Sequence, residues 1–197
     1  MTVIVGPTRE RLLGAAQELI EQGGYAAASV LAIADRAGVA SGTLYRHFAS
    51  KEDLFVEVFR SVCEREESAM RAAADQLPAG ASAIERLQTV LGTFARRALR
   101  NPRLAWALIA EPVDRGVDAE RLAYRARYAE LIAAGLRAGI ASGELPAQDV
   151  ELTAAALVGG CGEALVGPLS PLSGASPDAE QIITALGAFI ARAVGAS

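Results

Sequence analysis

Apolar residues recur every three or four positions along most of the chain, with polar residues between them. This spacing places the apolar side chains on one face of an α-helix, and glycine, proline and capping residues divide the pattern into segments. The pattern predicts helices at about residues 8–22, 29–37, 41–48, 51–76, 82–100, 101–114, 118–143, 149–166 and 176–194. The expected fold class is therefore all-α.

Several of the later helices have recognisable capping residues at their predicted ends. Polar residues that accept from free amides favour helix starts, and glycine followed by proline favours an end. The residues expected there are Asp118, Asp149 and Ser176-Pro177 at starts, and Gly167-Pro168 at the end of the eighth helix.

The second and third predicted helices are short and are joined by a tight turn. Ser29 is placed to cap the first, Gly38 follows it where a left-handed residue is wanted, and Ser41 is placed to cap the second. Leu44 and Phe48 lie one turn apart and are expected to face inward.

The opposite face of the second short helix is polar. Its expected outward residues are Thr43, Tyr45, Arg46 and His47. A DNA major groove admits one α-helix and offers donors, acceptors and thymine methyl groups to such side chains. Lys51 follows a predicted N-cap, Ser50, so a cation and free helix amides are placed to hold a phosphate. The segment is expected to bind DNA, with Thr43 and Tyr45 as candidates for base contacts.

These residues resemble the recognition motif of the TetR family of ligand-responsive repressors. The matching pattern is Gly38-Val39-x-x-Gly42-x-Leu44-Tyr45-x-His47-Phe48-x-Ser50-Lys51-x-x-Leu54. The resemblance covers about residues 8–59 and no position of the pattern departs from it. It implies DNA contacts by Ser29, Ser41, Gly42, Thr43, Tyr45, Arg46, His47 and Lys51, with phosphate as the partner of Tyr45, His47, Lys51 and the two serines. Arg46 occupies a slot that varies across the family.

The resemblance also implies two domains. Residues 1–51 would form a three-helix DNA-binding domain with a helix-turn-helix, and residues 52–197 a six-helix bundle for ligand binding and dimerisation. The composition agrees with closely packed helices: 52% of the residues are hydrophobic, alanine is prominent and only 5% are aromatic.

Arg, Glu or Pro interrupts every apolar run before it reaches 18 residues, so no membrane helix is expected. Residues 2–7 lack the charged region and apolar core of a secretion signal, which favours a cytoplasmic location.

The net charge is -4, yet residues 1–51 carry five cations against four carboxylates. The negative charge therefore lies in residues 52–197, and only a few cations are available at the DNA. This predicts DNA affinity with a modest dependence on salt concentration.

The sequence offers little material for catalysis, a metal site or a cofactor. The sole histidine, His47, belongs to the DNA motif, and Cys63 and Cys161 have no ligand-like neighbours at metal spacing. The two cysteines are expected to be buried as small apolar residues. Gly159, Gly160 and Gly162 follow no predicted strand and indicate close helix packing. An enzyme is therefore not expected.

In the resembled family the last two helices pair with their copies in a four-helix dimer interface. The candidates here are Leu152, Ala155, Ala156, Gly159 and Gly160 in one helix, and Ile182, Leu186, Phe189 and Ile190 in the other. The alternative is that these residues belong to the protomer's own core. A dimer would match a palindromic operator with half-sites about one turn apart.

The central helices enclose the effector pocket in proteins of this type. The candidate residues are Phe94, Arg97, Trp106, Glu111, Tyr124 and Tyr128. Aromatic residues at helical spacing are also typical of a core, and Arg97 and Glu111 could equally be solvated or paired with each other. Alanine-rich helices favour a mostly apolar cavity, so a hydrophobic or aromatic small molecule is expected.

The expected mechanism is that of a homodimeric repressor that leaves its operator when a small molecule binds within the C-terminal domain. Binding would shift the helix that starts at Lys51. Two alternatives stay open. One is an activator or a global DNA-binding protein without an inducer, and the other is a ligand-binding helical bundle with little DNA function.

Overall fold

The computed structural model describes residues 6–174 and 178–195. Its α-helices are α1 (Pro7–Gly23), α2 (Val30–Arg36), α3 (Leu44–His47), α4 (Lys51–Asp75), α5 (Ala83–Arg100), α6 (Pro102–Ile109), α7 (Arg115–Ala141), α8 (Val150–Leu169) and α9 (Ala179–Ala193). Single turns of 3₁₀-helix, Tyr25–Ala27 and Ser41–Thr43, precede α2 and α3. The described residues contain no β-strand, and the all-α class is confirmed.

The chain forms two compact units. The first contains the residues up to Val62 together with Arg103–Arg121, and the second contains Cys63–Pro102 together with the residues from Leu122 onward. The helices α4, α6 and α7 each contribute residues to both units. The domain boundary predicted after Lys51 stays a prediction.

Each unit has its own apolar core. In the first unit the fully buried large side chains are Leu12, Ile20, Ile33, Leu44 and Leu54. In the second they are Met70, Leu87, Ile132, Leu136, Leu157, Leu165 and Ile190. Both cysteines are buried and unbridged, as predicted.

The predicted extent of α6 and the predicted start of α7 are wrong. Proline at 112 has no N–H to donate to the Leu108 carbonyl, so α6 ends at Ile109 and not near 114. The guanidinium of Arg121 donates to that carbonyl instead, at 2.7 Å. Asp114, and not Asp118, caps α7, because its Oδ1 accepts from the amides of the second and third helical residues at 2.7 and 3.0 Å.

The predicted end of α8 is also wrong, because the helix continues through Gly167 and Pro168 to Leu169. Proline leaves the carbonyl four residues earlier without its helical partner, but Ala164 is exposed and water can satisfy that oxygen. Leu169 is buried and anchors the last turn. Asp149 caps α8 as predicted, at 3.0 Å from the Leu152 amide.

The predicted start of the last helix at Ser176-Pro177 lies outside the described residues. In the described part α9 follows Asp178, whose Oδ1 accepts from the Gln181 amide at 3.0 Å. The helix ends within one residue of the predicted position.

Contrary to expectation, α8 is long and apolar enough to cross a membrane by length and composition alone. A single helix of this kind is weak evidence, since core helices of water-soluble proteins meet the same criterion. Only 28% of its most apolar window is buried within the chain.

Candidate nucleic-acid interface and effector site

The turn between α2 and α3 has the predicted geometry. The Ser29 hydroxyl oxygen accepts from the Ala32 amide at 3.1 Å and caps α2. Gly38 has a φ of 65°, in the left-handed region that favours glycine. The following amide, of Val39, reaches back to the Ala34 carbonyl at 2.9 Å and closes the helix end. The chain therefore reverses tightly before the next helix.

The second short helix begins differently from the prediction. Ser41 is not a cap: Ala40 occupies that position, and Ser41 opens the 3₁₀ turn that leads into α3. The Ser41 side chain is exposed, and a Cβ on Gly42 would meet nothing within 4 Å. Leu44 and Phe48 are buried as predicted and hold α3 against the core of the first unit.

The outward face of α3 carries the predicted polar side chains, with one exception. Tyr45 is 57% exposed, and Arg46 and His47 are exposed as well. Thr43 is only 7% exposed, so its predicted place outside the buried stripe is wrong. The 3₁₀ turn alters the periodicity there, and the Thr43 hydroxyl accepts from Arg46 Nη2 at 2.9 Å.

An open cleft lies along this face of the first unit. Its lining residues are Thr8, Val39, Ala40, Thr43, Arg46 and His47. The cleft thus combines small or apolar residues of the turn with hydroxyl, guanidinium and imidazole groups.

The start of α4 has the predicted cap. Ser50 Oγ accepts from the Asp53 amide and donates to the Asp53 carboxylate, both at 3.0 Å. Lys51 Nζ lies 5.2 Å from the centre of the Phe55 ring. Lys51 is the first residue of α4, and its ammonium lies over a ring one turn further along the helix. The phosphate site expected at this helix start stays a prediction.

Contacts that the sequence did not predict brace these helices within the first unit. Arg9 of α1 forms an ion pair with Glu57 of α4, and its guanidinium lies 4.9 Å from the Phe48 ring centre. The Tyr25 and Phe55 rings meet edge to face with centres 5.0 Å apart. Arg9 and Glu57 are 48 positions apart, so no local pattern could reveal their pairing.

Four of the predicted effector residues lie in the second unit. The Tyr128 ring centre is 6.1 Å from those of Phe94 and Tyr124, so the three rings form one aromatic row. The Tyr128 hydroxyl donates to the Cys63 carbonyl at 3.3 Å. Burial, reinforced by that carbonyl, raises the pKa of Tyr128 above its usual value. Its hydroxyl is therefore a neutral donor at physiological pH.

The charged predicted residues are paired, but not with each other. Arg97 makes a two-pronged ion pair with Glu66, at 2.6 and 2.9 Å, and this hydrogen bonding raises the Arg97 pKa. Glu111 pairs with Arg103 at 2.9 Å in the first unit. The suggested Arg97–Glu111 pair is therefore wrong, since each has a nearer partner. Trp106 lies in the first unit and is half-buried.

Sequence reasoning missed a second charged group beside the aromatic row. Glu67 is only 7% exposed and its carboxylate lies 2.8 Å from Arg71 Nη2 and 2.6 Å from Arg127 Nη2. The Arg127 guanidinium also lies 4.6 Å from the centre of the Tyr124 ring. Glu67 lies on α4, for which the sequence predicted no charged cluster. Its partner Arg127 lies on α7 and is distant in sequence. Two guanidinium groups on one buried carboxylate offset its loss of hydration.

The predicted dimer residues divide into two groups. Leu152 is 69% exposed, and Ala155, Ala156 and Gly159 share that exposed side of α8. On α9, Phe189 is 38% exposed and Ile182 is half-buried. Gly160 faces the Phe189 ring, 3.2 Å from the position of a Cβ. The remaining two, Leu186 and Ile190, are buried in the protomer's own core, which corrects the prediction for them.

Known proteins resemble both parts of the chain. Residues 12–58 match the family of bacterial regulatory proteins described as the tetR family. Residues 80–165 match the tetracyclin repressor-like C-terminal domain. The repressor KstR of Mycobacterium tuberculosis is 43% identical over 101 residues, which are 51% of this chain and 44% of that protein. The chain thus spans about half the length of the curated relatives it matches.

Two solved structures share the fold across nearly the whole chain. FadR, a fatty acid degradation regulator from Bacillus halodurans, superposes with a TM-score of 0.80 at 21% identity, covering 94% of this chain and 95% of that one. FadR from Bacillus subtilis, in complex with stearoyl-CoA, gives a TM-score of 0.77 at 22% identity, covering 95% and 98%. At these identities the likeness shows the fold alone.

Proposed function

This chain belongs to the TetR family, whose members are transcriptional regulators and not enzymes, and we propose that it acts as a homodimeric repressor released from a palindromic operator by a small molecule. The observation that carries the proposal is the exposed polar face of α3. Three adjacent polar side chains project there from a helix whose inner side is fully buried. The repressors KstR among the relatives favour repression over activation.

The proposed phosphate contacts surround α3, which we call the reading helix because it is proposed to contact the bases. Tyr45 and His47 are exposed on it, and Lys51 stands at the start of α4. Ser29 uses its oxygen lone pair for the α2 cap and keeps its hydroxyl proton, which can be donated to a phosphate. Ser41 is not used as a cap and is equally able to donate. Gly42 leaves room for close approach of the DNA backbone.

The proposed dimer uses the exposed apolar side of α8 together with the outer side of α9. Leu152 and Phe189 are large apolar side chains exposed to water in the single chain. The alanines and glycine of the same α8 face permit close approach of a second helix. Burial of this face against its copy removes apolar surface from water, which is the main driving force of association.

The proposed effector site lies in the second unit, along the row of Phe94, Tyr124 and Tyr128. The rings supply apolar contact area, and the Tyr128 hydroxyl and the Arg97–Glu66 pair supply polar groups that can orient a ligand. We propose an effector with a large apolar or aromatic part. FadR of B. subtilis, which shares the fold, has been solved in complex with stearoyl-CoA, and this ligand with a long apolar part favours such an effector.

The operator proposal is tested by selecting bound duplexes from a random pool. The wild-type protein is compared with a Tyr45→Ala, Lys51→Ala double variant, and with Arg125→Ala, an exposed α7 variant, as the control. We expect the wild type and the control to enrich one palindrome and the double variant to lose it. Enrichment without two-fold symmetry, or none from folded protein, would contradict a repressor of this type.

The effector proposal is tested by release from that palindrome, with stearoyl-CoA as the first probe and a panel of apolar and aromatic compounds after it. Tyr128→Ala and Phe94→Ala are expected to raise the concentration needed for release, whereas Leu122→Ala, at an exposed position, is expected to leave it unchanged. If both aromatic variants respond like the wild type, the pocket assignment is wrong.

A further inference from the structure

Arg46 occupies the centre of the outward face of α3. An α-helix turns by about 100° per residue, so Arg46 lies about 200° around the axis from the fully buried Leu44. Tyr45 and His47 are each closer to the buried side, on opposite flanks. A helix laid in the major groove with Leu44 facing the protein therefore directs Arg46 towards the base edges and its two neighbours towards the groove walls.

The guanidinium of Arg46 is held in place by a buried hydroxyl. Thr43, one turn earlier, is 7% exposed, and its Oγ1 accepts from Arg46 Nη2 at 2.9 Å. A single N–H is used in this contact, and four of the five guanidinium N–H donors remain available. Among the described residues no carboxylate forms an ion pair with Arg46, so its charge is not neutralised within the chain.

The surroundings of Arg46 are open on the side of the turn. The open cleft beside it is lined on the turn side by Val39 and Ala40, which are short and apolar. Neither side chain competes for the guanidinium, and neither reaches as far from the helix as an arginine.

We propose that Arg46 is the specificity-determining residue of the reading helix and contacts a guanine in each half-site, and that Thr43 is its positioning residue. This rests on the proposed operator binding and deepens it. Guanine presents two acceptors, O6 and N7, in the major groove, and the planar fork of arginine donates to both at once. By symmetry, a dimer would place one such guanine in each arm of the palindrome, on opposite strands.

This assignment differs from the division of contacts expected from the sequence. Thr43 is a candidate for a base contact by its position in the sequence. Because it is buried and accepts a hydrogen bond from Arg46, we assign it the role of positioning Arg46 and not of contacting DNA itself. Tyr45 and His47 remain on the flanks, where phosphates lie. Substitution of Arg46 should therefore change which sequence is bound, and substitution of the flanking residues should change how tightly all sequences are bound.

The test is duplex selection with the wild type and four variants, followed by affinity measurements on the selected operator and on its single-base-pair mutants. Arg46→Ala and Arg46→Lys remove the fork, and lysine keeps the charge. Thr43→Val removes the hydroxyl acceptor, and Thr43→Ser keeps it. Circular dichroism and melting curves confirm that each variant is folded.

The wild type is expected to prefer guanine over the other bases by roughly 5- to 160-fold at one symmetric position. Arg46→Ala should lose this preference and Arg46→Lys should weaken it, and both variants should keep the preferences at other positions. Thr43→Val should weaken the preference at that same position only, and Thr43→Ser should restore it. A purely structural role of Thr43 would instead lower affinity for all duplexes alike.

Three outcomes would overturn the assignment. A palindrome whose preferences survive Arg46→Ala would show that the residue does not read bases, and the repressor proposal would stand. A uniform loss of affinity across all sequences would make Arg46 a phosphate contact. Failure of the wild type to enrich a palindrome would overturn both proposals together.

Discussion

Gly24 ends α1 in a backbone conformation that is essentially restricted to glycine, with a φ of 74° and a ψ of -171°. A Cβ at this position would also collide with the guanidinium of Arg103 and lie 2.6 Å from Glu111 Oε1. The ion pair between these two side chains therefore packs directly on the glycine. One residue thus serves both the turn after α1 and the packing of α6 within the first unit.

We predict that Gly24→Ala destabilises the first unit, with about 1–3 kcal/mol from backbone strain and a further loss from displacing the ion pair. Gly14→Ala provides the matched control, because Gly14 lies inside α1 and its Cβ would meet nothing within 4 Å. This control should be stabilising by roughly 0.5–1 kcal/mol, since alanine favours a helix interior. Chemical denaturation measures both. Equal effects of the two substitutions would disprove the role of Gly24.

At the scale of the element, the start of α5 depends on two carboxylates from different segments. Ser82 and Glu85 form a reciprocal capping box, in which Glu85 accepts from the Ser82 amide at 2.8 Å. In the loop after α7, Glu144 accepts from the Ala83 amide at 2.7 Å and from the Ser142 hydroxyl at 2.9 Å. These hydrogen bonds lower the pKa of both glutamates, with the backbone amide as the largest cause in each.

We predict that acid weakens the start of α5. A carboxylate with a lowered folded-state pKa contributes its stability above the ordinary value of 4.5, and loses it as the pH falls through the folded-state pKa. Glu144→Gln should therefore lower the melting temperature at pH 7, and its difference from the wild type should shrink below pH 4.5. Asp75→Asn, at an exposed residue, should show no loss at pH 7. A difference that is constant with pH would refute the argument.

At the scale of the whole molecule, the exposed side of α8 is an apolar surface that the described residues of a single chain leave without cover. Leu152 and Leu122 are nearly equally exposed, at 69% and 71%, but only Leu152 lies on the proposed dimer face. We predict that Leu152→Asp produces monomers in sedimentation velocity and abolishes binding to the full palindrome. The matched substitution Leu122→Asp should leave a dimer. If both variants remain dimeric, another surface joins the copies.

The charge distribution leads to a second prediction at this scale. The negative net charge lies in residues 52–197, so DNA affinity must depend on a few cations of residues 1–51 that contact phosphates. Lys51→Ala should reduce the slope of log affinity against log salt by about 2 in a dimer, since each lost phosphate contact changes it by about 0.9. Arg125→Ala is the control of equal charge change. An unchanged slope for Lys51→Ala would remove this residue from the phosphate contacts.

Much of the region from α2 to the start of α4 could be predicted, because the sequence features that form it act locally. The caps at Ser29 and Ser50, the left-handed Gly38 and the inward Leu44 each depend on neighbours within about one helical turn. The same reasoning failed at Thr43, where a turn of 3₁₀-helix altered the periodicity. Burial there depends on how the turn packs, which spacing alone does not describe.

The sequence by itself determined the order of the helical segments seen in the described residues, apart from some of their ends, together with the family and the polar face that is expected to meet DNA. These properties arise from helix periodicity, capping and turn residues, which act over a few positions. Only the tertiary structure decided which charges pair, as with Arg97 and Glu66 or Arg9 and Glu57, and that Leu186 and Ile190 are core. Such choices depend on which faces of distant helices meet, and an apolar stripe or a charge is equally compatible with several partners until the chain has packed.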